Sequence, residues 1–98
     1  MARTPLSDTD ITTALESLDG WKRKDNKLVK TFHPSTYSQG LVFATAAGMI
    51  ADSFDHHPDM LIGYKKVTLE FTTHDAGNSI TQMDVDVATA INALKIRL

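Results

Sequence analysis

The chain has 98 residues, of which 42% are hydrophobic and 22% charged, with a formal net charge of −2 and a pI near 6.0. This composition is typical of a single globular domain, and it argues against a dedicated nucleic-acid binder, which would carry a basic face. The absence of cysteine excludes disulfides, thiolate metal sites and cysteine nucleophiles. With no secretory leader and no apolar stretch long enough to span a bilayer, we expect a cytoplasmic protein without a membrane partner.

The first third of the chain predicts a helix followed by a hairpin. Ser7 suits the N-cap of the helix, and Gly20 suits the position just past its C-terminus. Between them, apolar residues recur at helical spacing, namely Ile11, Leu15 and Leu18. Two short strands are then predicted at residues 21–24 and 27–32, joined by a turn.

A longer helix and a second hairpin come next. The helix is predicted to begin near Pro34 and to end at Pro58, because the residue before a proline is disfavoured in the helical region. Its expected apolar stripe comprises Phe43, Ala47, Ile50 and Phe54, with Leu41 beside it. A third strand is predicted at residues 60–64 and a fourth from residue 66, where apolar and polar residues alternate. If that strand extends far enough, His74 lies on its face away from the core.

The last segment predicts a loop at residues 75–79 and a third helix. Thr81 suits its N-cap, with Asp84 three residues later as an acidic N-terminal residue. Its apolar face comprises Val87, Ala88, Ile91 and Leu94. The order α-β-β-α-β-β-α, with the strands in two hairpins, predicts a single α+β domain in which three helices pack on one face of a four-stranded antiparallel sheet.

Three histidines are candidates for chemistry. His56 and His57 are adjacent near the predicted end of the second helix, and His74 follows the fourth strand. Nearby carboxylates can fix the tautomers of such histidines and support proton transfer near neutral pH; the candidates are Asp52, Asp55, Asp59 and Asp75. A His-His pair at a helix end is, on composition alone, more often a solvated cap. His33, before Pro34, has no evident partner.

A three-histidine metal site is an alternative, since zinc accepts three histidines and keeps a fourth position for water. Adjacent side chains diverge, however, by about 100° on a helix or to opposite faces of a strand. The spacing that places two histidines on one helical face is absent. The pattern therefore favours a site without a metal.

The chemistry-bearing residues form one spaced set between positions 52 and 84. Asp52 lies four residues before the His56-His57 pair, Pro58 follows the pair, and then come Tyr64, His74 and Asp84. This set closely resembles the pterin-4a-carbinolamine dehydratases, and the predicted element order matches that family over one domain, residues 1–98. Two features differ from many members: Met60 replaces a tryptophan, and the loop 77–81 is one residue longer.

The resemblance implies a hydro-lyase that converts a 4a-hydroxytetrahydropterin to the quinonoid dihydropterin, in tetrahydrobiopterin recycling. The substrate would be left by an aromatic amino acid hydroxylase, to which the protein would be functionally coupled. Family members need no metal or organic cofactor and form homodimers or homotetramers. Some animal members also serve as dimerisation partners of a homeodomain transcription factor, a role that nothing in this sequence indicates.

The resemblance also implies residue roles. Three histidines would be catalytic, namely His56, His57 and His74, and five residues would bind or orient the substrate, namely Asp52, Asp55, Pro58, Thr73 and Asp75. We expect His56 and His74 to flank the carbinolamine carbon and His57 to orient the pterin edge. The alternatives are a non-catalytic dimerisation or binding module of the same fold, and a three-histidine metal hydrolase.

Overall fold

Three helices and four strands follow one another in the predicted order. The computed structural model describes residues 3–94. Its elements are α1 (Asp8–Glu16), β1 (Lys22–Lys24), β2 (Lys27–Phe32), α2 (Tyr37–Ser53), β3 (Asp59–Gly63), β4 (Lys66–Phe71), a 3₁₀ turn (His74–Ala76) and α3 (Gln82–Asn92). No helix within residues 3–94 is long and apolar enough to cross a bilayer.

The four strands form one antiparallel sheet in the order β1-β2-β4-β3. The central pair places Leu28 of β2 opposite Phe71 of β4, so that β2 begins where β4 ends. Asp59, at the start of β3, lies opposite Glu70. The β1–β2 turn, the segment that leads into β3 and the loop after β4 therefore meet at one end of the sheet. We call this the convergent end.

The core lies on one face of the sheet. The inward-facing strand residues are buried, namely Leu28, Phe32, Val67, Leu69 and Phe71, and all three helices contribute to the same cluster, through Ile11, Phe43, Ala44, Ala47, Ala51, Val85, Val87, Ala88 and Ile91. The residues that alternate with them on the strands, such as Thr68 and Glu70, are only partly buried. This confirms the predicted fold class. Within residues 3–94, no helix covers the second face of the sheet.

Trp21 joins the sheet to the end of α3. Its ring lies 6.4 Å from that of Phe32 and 5.9 Å from that of Phe71, and its Nε1–H donates to Asn92 Oδ1 at 2.9 Å. Lys30 Nζ donates to the same oxygen at 2.9 Å. Burial lowers the pKa of the Lys30 ammonium, and the negative charge of Asp19 opposes that shift. Trp21 and Phe32 are thus both part of the buried core.

The second helix ends earlier than Pro58 predicts. Its last residue is Ser53, and Asp55 adopts a left-handed backbone with φ of 52°. The Asp55 amide donates to the Asp52 carbonyl at 2.9 Å, and the His56 amide to the Ala51 carbonyl at 3.1 Å. These two bonds define a Schellman ending, which satisfies the last helical carbonyls before the chain reaches the proline.

Two further predictions need correction. Leu41, expected beside the apolar stripe of α2, is 41% exposed, because the buried face of the helix passes through Ala44 and Ala51 instead. The fourth strand ends at Phe71 and does not reach His74. After Phe71, Thr73 pairs with Ser79 in an isolated bridge, so the chain folds back and His74 begins the 3₁₀ turn.

Candidate functional site

A fully buried carboxylate, Asp84, lies behind the convergent end. Its Oδ2 accepts hydrogen bonds from the Thr81 amide and from the Thr73 hydroxyl, both at 2.8 Å, and its Oδ1 accepts one from His56 Nε2–H at 2.5 Å. The first bond belongs to a capping box at the start of α3, as the N-cap prediction for Thr81 requires. A buried carboxylate is tolerated only when it is paired and hydrogen-bonded, and here three segments of the chain supply the donors.

His56 is part of the interior of the protein. It is 5% exposed, and its ring stacks on that of Phe71 with centroids 5.8 Å apart and an interplanar angle of 14°. The physical reason is the helix ending: the second residue after the C-cap of a Schellman motif commonly packs back against the helix, and His56 holds that position. Because Nε2 is engaged by Asp84, only Nδ1 of His56 remains free of this network.

His57 lies at the surface and contacts α2. Its side chain is 61% exposed, and Nε2–H donates to Asp52 Oδ1 at 2.9 Å. Asp52 therefore fixes the tautomer of His57, whose Nδ1 makes no hydrogen bond with residues 3–94. The two adjacent histidines thus have opposite environments, since one is buried against Asp84 and the other faces solvent.

His74 is exposed and is held by the loop that follows it. Its Nδ1–H donates to the Asn78 amide oxygen at 2.8 Å, and its Nε2 makes no hydrogen bond within residues 3–94. Gly77 and Asn78 both have left-handed backbones, with φ of 72° and 58°, and they turn the chain back toward His74. The sequence predicted only a loop at residues 75–79 and did not indicate the contact of Asn78 with His74. A short polar residue four positions after a candidate histidine was the available signal.

The remaining candidates have structural contacts. Thr73 is fully buried and donates to Asp84, Asp55 forms the left-handed turn that ends α2, and Pro58 is half-buried just before β3. Asp75 is exposed and lies 3.7 Å from Arg3. The structure thus brings Thr73 together with His56 through Asp84.

A polar cavity of about 640 Å³ opens at the convergent end, on the face of the sheet without helices. This volume is within the usual range for small-molecule sites. Of the three candidate histidines, His74 lines it. All nine lining residues are polar: Lys24, Asp25, Asn26, Lys27, Asp59, Glu70, Thr72, His74 and Asn78.

The part of the chain that the structure describes contains no set of side chains that could form the alternative metal site. No three His, Cys, Asp or Glu side chains among residues 3–94 are grouped so that they could hold a metal ion. The reason is that each histidine is oriented by a different neighbour: His56 by Asp84, His57 by Asp52 and His74 by Asn78.

Comparison with known proteins identifies the family. The model of the family described as pterin 4 alpha carbinolamine dehydratase matches residues 4–94. A relative from Roseiflexus sp. (strain RS-1) is 42% identical over 91 residues, which cover 93% of this chain and 97% of the relative. One from Natronomonas pharaonis is 42% identical over 89 residues, covering 91% and 94%. Both carry the name pterin-4-alpha-carbinolamine dehydratase provisionally.

Solved structures agree. A transcriptional coactivator/pterin dehydratase from Brucella melitensis superposes with a TM-score of 0.85 at 29% identity, covering 92% of this chain and 97% of that one. A pterin dehydratase-like protein described as a RuBisCO assembly factor of the alpha-carboxysome gives 0.60 at 20% identity, over 80% and 89%, and shows a shared fold alone. The chain belongs to the pterin-4a-carbinolamine dehydratase family.

The buried carboxylate network predicts a large stability effect. Replacing Asp84 by alanine leaves the Thr81 amide, the Thr73 hydroxyl and His56 without their acceptor. We expect the free energy of unfolding to fall by about 3 to 5 kcal/mol, measured by chemical denaturation. Asp86→Ala, at an exposed position of the same helix, is the matched control and should change it by less than about 0.5 kcal/mol. Equal effects of the two substitutions would contradict the assigned role of Asp84.

Proposed function

We propose that this protein dehydrates a 4a-hydroxytetrahydropterin to the quinonoid dihydropterin by histidine acid–base catalysis. The observation that carries the proposal is a pair of exposed histidines flanking the convergent end, His57 and His74. Each is held through one ring nitrogen, while the other makes no hydrogen bond in the part of the chain that the structure describes. Membership of the dehydratase family supports the reaction class. The polar cavity beside His74 offers space for a bicyclic substrate.

The reaction needs only proton transfers. The bond from C4a to the hydroxyl oxygen breaks, and the oxygen must receive a proton so that water leaves. A ring N–H then loses its proton as the new carbon–nitrogen double bond forms, and the balance is one water released. No electrons are exchanged, so we propose that neither a metal nor an organic cofactor takes part. Histidine suits both transfers because its proton exchanges near neutral pH.

We assign the two proton transfers to His57 and His74, which revises the expectation that His56 flanks the reacting carbon. His56 is buried and its Nε2 is bonded to Asp84, so it serves as a positioning residue for the segment that carries His57. Asp52 orients His57, and Asn78 orients His74. Fixing the tautomer in this way decides which nitrogen is available to the substrate.

The other predicted site residues act indirectly in this proposal. Thr73 holds Asp84, while Asp55 and Pro58 set the course of the chain on either side of His56-His57. Asp75, next to His74, adds negative charge near the pterin, where positive charge develops as the hydroxyl group leaves. Of the five, Asp75 is the residue we expect closest to the ring.

The proposed substrate is the product of an earlier hydroxylation reaction, on which this protein would act. A tetrahydropterin acquires a 4a-hydroxyl group when it has delivered one oxygen atom to another substrate. We therefore propose functional coupling to a pterin-dependent aromatic amino acid hydroxylase in the cytoplasm, with the product recycled by a reductase. The alternative is a binding or assembly module, which the shared fold of the RuBisCO assembly factor makes worth testing.

The decisive test is the rate at which a 4a-hydroxytetrahydropterin, generated by a hydroxylase in the cuvette, loses water. We expect acceleration that survives a chelator, and a fall of kcat by about 10²- to 10⁴-fold in His57→Ala and in His74→Ala, because each removes a proton-transfer group. His33→Ala is the control, since His33 is exposed and does not line the cavity. A parent protein that leaves the spontaneous rate unchanged would overturn the dehydratase proposal and favour the binding module.

We further propose that the protein forms a homodimer or homotetramer. β3 is an edge strand, and its backbone groups are available for pairing with another chain. Large apolar side chains on and just after it are exposed: Met60 at 36%, Leu61 at 66%, Ile62 at 41% and Tyr64 at 75%. A domain of this size buries a smaller fraction of its surface than a larger domain does, and pairing with a second copy would add buried apolar area.

The proposed homodimer or homotetramer would have a native mass of two or four times 10.8 kDa. Light scattering coupled to gel filtration measures it directly. Leu61→Lys, which places a charge on the exposed edge, should shift the mass toward the monomer, whereas Lys66→Ala on the neighbouring β4 should leave it unchanged. A parent protein that is monomeric at high micromolar concentration would contradict this proposal.

A further inference from the structure

A second cavity lies at the β1 edge of the sheet and has no part in the proposed reaction. Its volume is about 500 Å³, within the usual range for small-molecule sites. It lies where β2 continues past the start of β1, since Lys22, the first residue of β1, pairs with Val29. We call it the basic groove, and its lining residues are Gly20, Lys22, Arg23, Lys24, Val29, Lys30, Thr31 and His33.

Positive charge is concentrated in this part of the chain. Half of the ten Lys and Arg residues lie between positions 22 and 30, and four of these line the basic groove. None of its eight lining residues, all within the described part of the chain, is acidic, although the whole sequence has a formal net charge of −2. A concave surface lined by one sign of charge raises the local concentration of ligands of the opposite sign. The groove therefore favours an anion.

Two of the cations are held in place by the rest of the fold. Lys30 Nζ donates to the Asp19 carbonyl at 2.8 Å and to Asn92 Oδ1 at 2.9 Å. Arg23 forms an ion pair with Asp8 at 2.7 Å, and the Asp8 side chain is 88% exposed. Exposed ion pairs contribute little to stability, so an anion in the groove can compete with Asp8 for the guanidinium group. Both cations thus contribute positive charge at fixed positions.

Three further side chains of the groove have no partner within residues 3–94. Lys22 and Lys24 form no ion pair with the described residues, and they lie on the same face of β1, about 7 Å apart along the strand. His33 is exposed and makes no hydrogen bond with the same residues. Ammonium and imidazole N–H groups are donors to anionic oxygens, so these three side chains remain for a ligand.

A phosphorylated small molecule fits these features better than an acidic protein segment does. A phosphate group carries nearly two negative charges and three acceptor oxygens on one centre, so linked phosphates match several cations within a small volume. Carboxylates along an extended peptide carry one charge each and alternate between its two faces. Such a segment needs a longer row of cations than the three residues of β1 provide.

We infer that the basic groove binds a small molecule with two or more phosphate groups. Lys22, Lys24 and His33 contact the phosphates, while Arg23 and Lys30 add fixed positive charge. The inference does not depend on the proposed reaction. β1 and β3 are the two opposite edges of the sheet, so the groove stays open when copies of the chain pair through β3.

The test is a titration of the full-length protein with tripolyphosphate at physiological ionic strength, followed by calorimetry and by amide ¹H–¹⁵N NMR. We expect saturable binding with a Kd below about 1 mM and NMR changes centred on residues 20–24 and 29–33. Lys22→Glu should weaken binding by roughly tenfold or more, because it replaces an attractive charge in the groove by a repulsive one. Lys66→Glu is the matched control, since it changes the charge equally on β4 outside the groove, and it should leave the Kd within about twofold.

The position of the NMR changes is decisive because Lys24 lines both the basic groove and the polar cavity. Changes centred on His74 and Asn78 would place the anion in the polar cavity and overturn the inference. The absence of saturable binding, or equal effects of Lys22→Glu and Lys66→Glu, would overturn it as well. Orthophosphate that binds as tightly as tripolyphosphate would contradict a ligand with several phosphates. Tighter binding of hexaglutamate would contradict a phosphorylated ligand and favour an acidic protein segment. The dehydration rate is measured separately, so each proposal can fail without the other.

Discussion

One buried charge organises the functional end of this molecule. The Asp84 carboxylate has no contact with solvent, so it requires donors, and it takes them from the start of α3, the loop after β4 and the segment after α2. The two segments that carry the exposed histidines are therefore tied to the same group. The same carboxylate completes the capping box at the start of α3 and holds the two segments of the candidate site. A substitution of Asp84 therefore affects both the helix start and the site.

The way in which α2 ends explains why one of the two adjacent histidines is buried and the other is exposed. Because Asp55 turns the chain into the left-handed region, the next residue packs inward and the one after it faces outward. His56 thereby supports the network, and His57 remains accessible beside Asp52. On the other side of the convergent end, Asn78 gives His74 a comparable orientation. The result is two accessible imidazoles with defined tautomers, of which His74 lines the polar cavity.

Local patterns predicted the fold well, because caps, alternation and turns act over a few residues. Ser7 and Thr81 cap their helices as expected, and the alternation of β4 identified its buried face. The site was less accessible to such reasoning. The bond from His56 to Asp84 joins residues 28 positions apart, and no local pattern reports it. A left-handed aspartate at the end of α2 is equally hidden, because aspartate occurs in many conformations. The histidine trio itself came from a family motif.

The central claim is that His57 and His74 meet the pterin while His56 supports them from within. Long-range ¹H–¹⁵N NMR of the histidine side chains, recorded while a stable 7,8-dihydropterin is added, tests it most directly. The account predicts saturable changes that are largest at the ring nitrogens of His57 and His74, small at His56 and absent at His33. A titration in which none of these signals moves, or in which His33 alone responds, would contradict it.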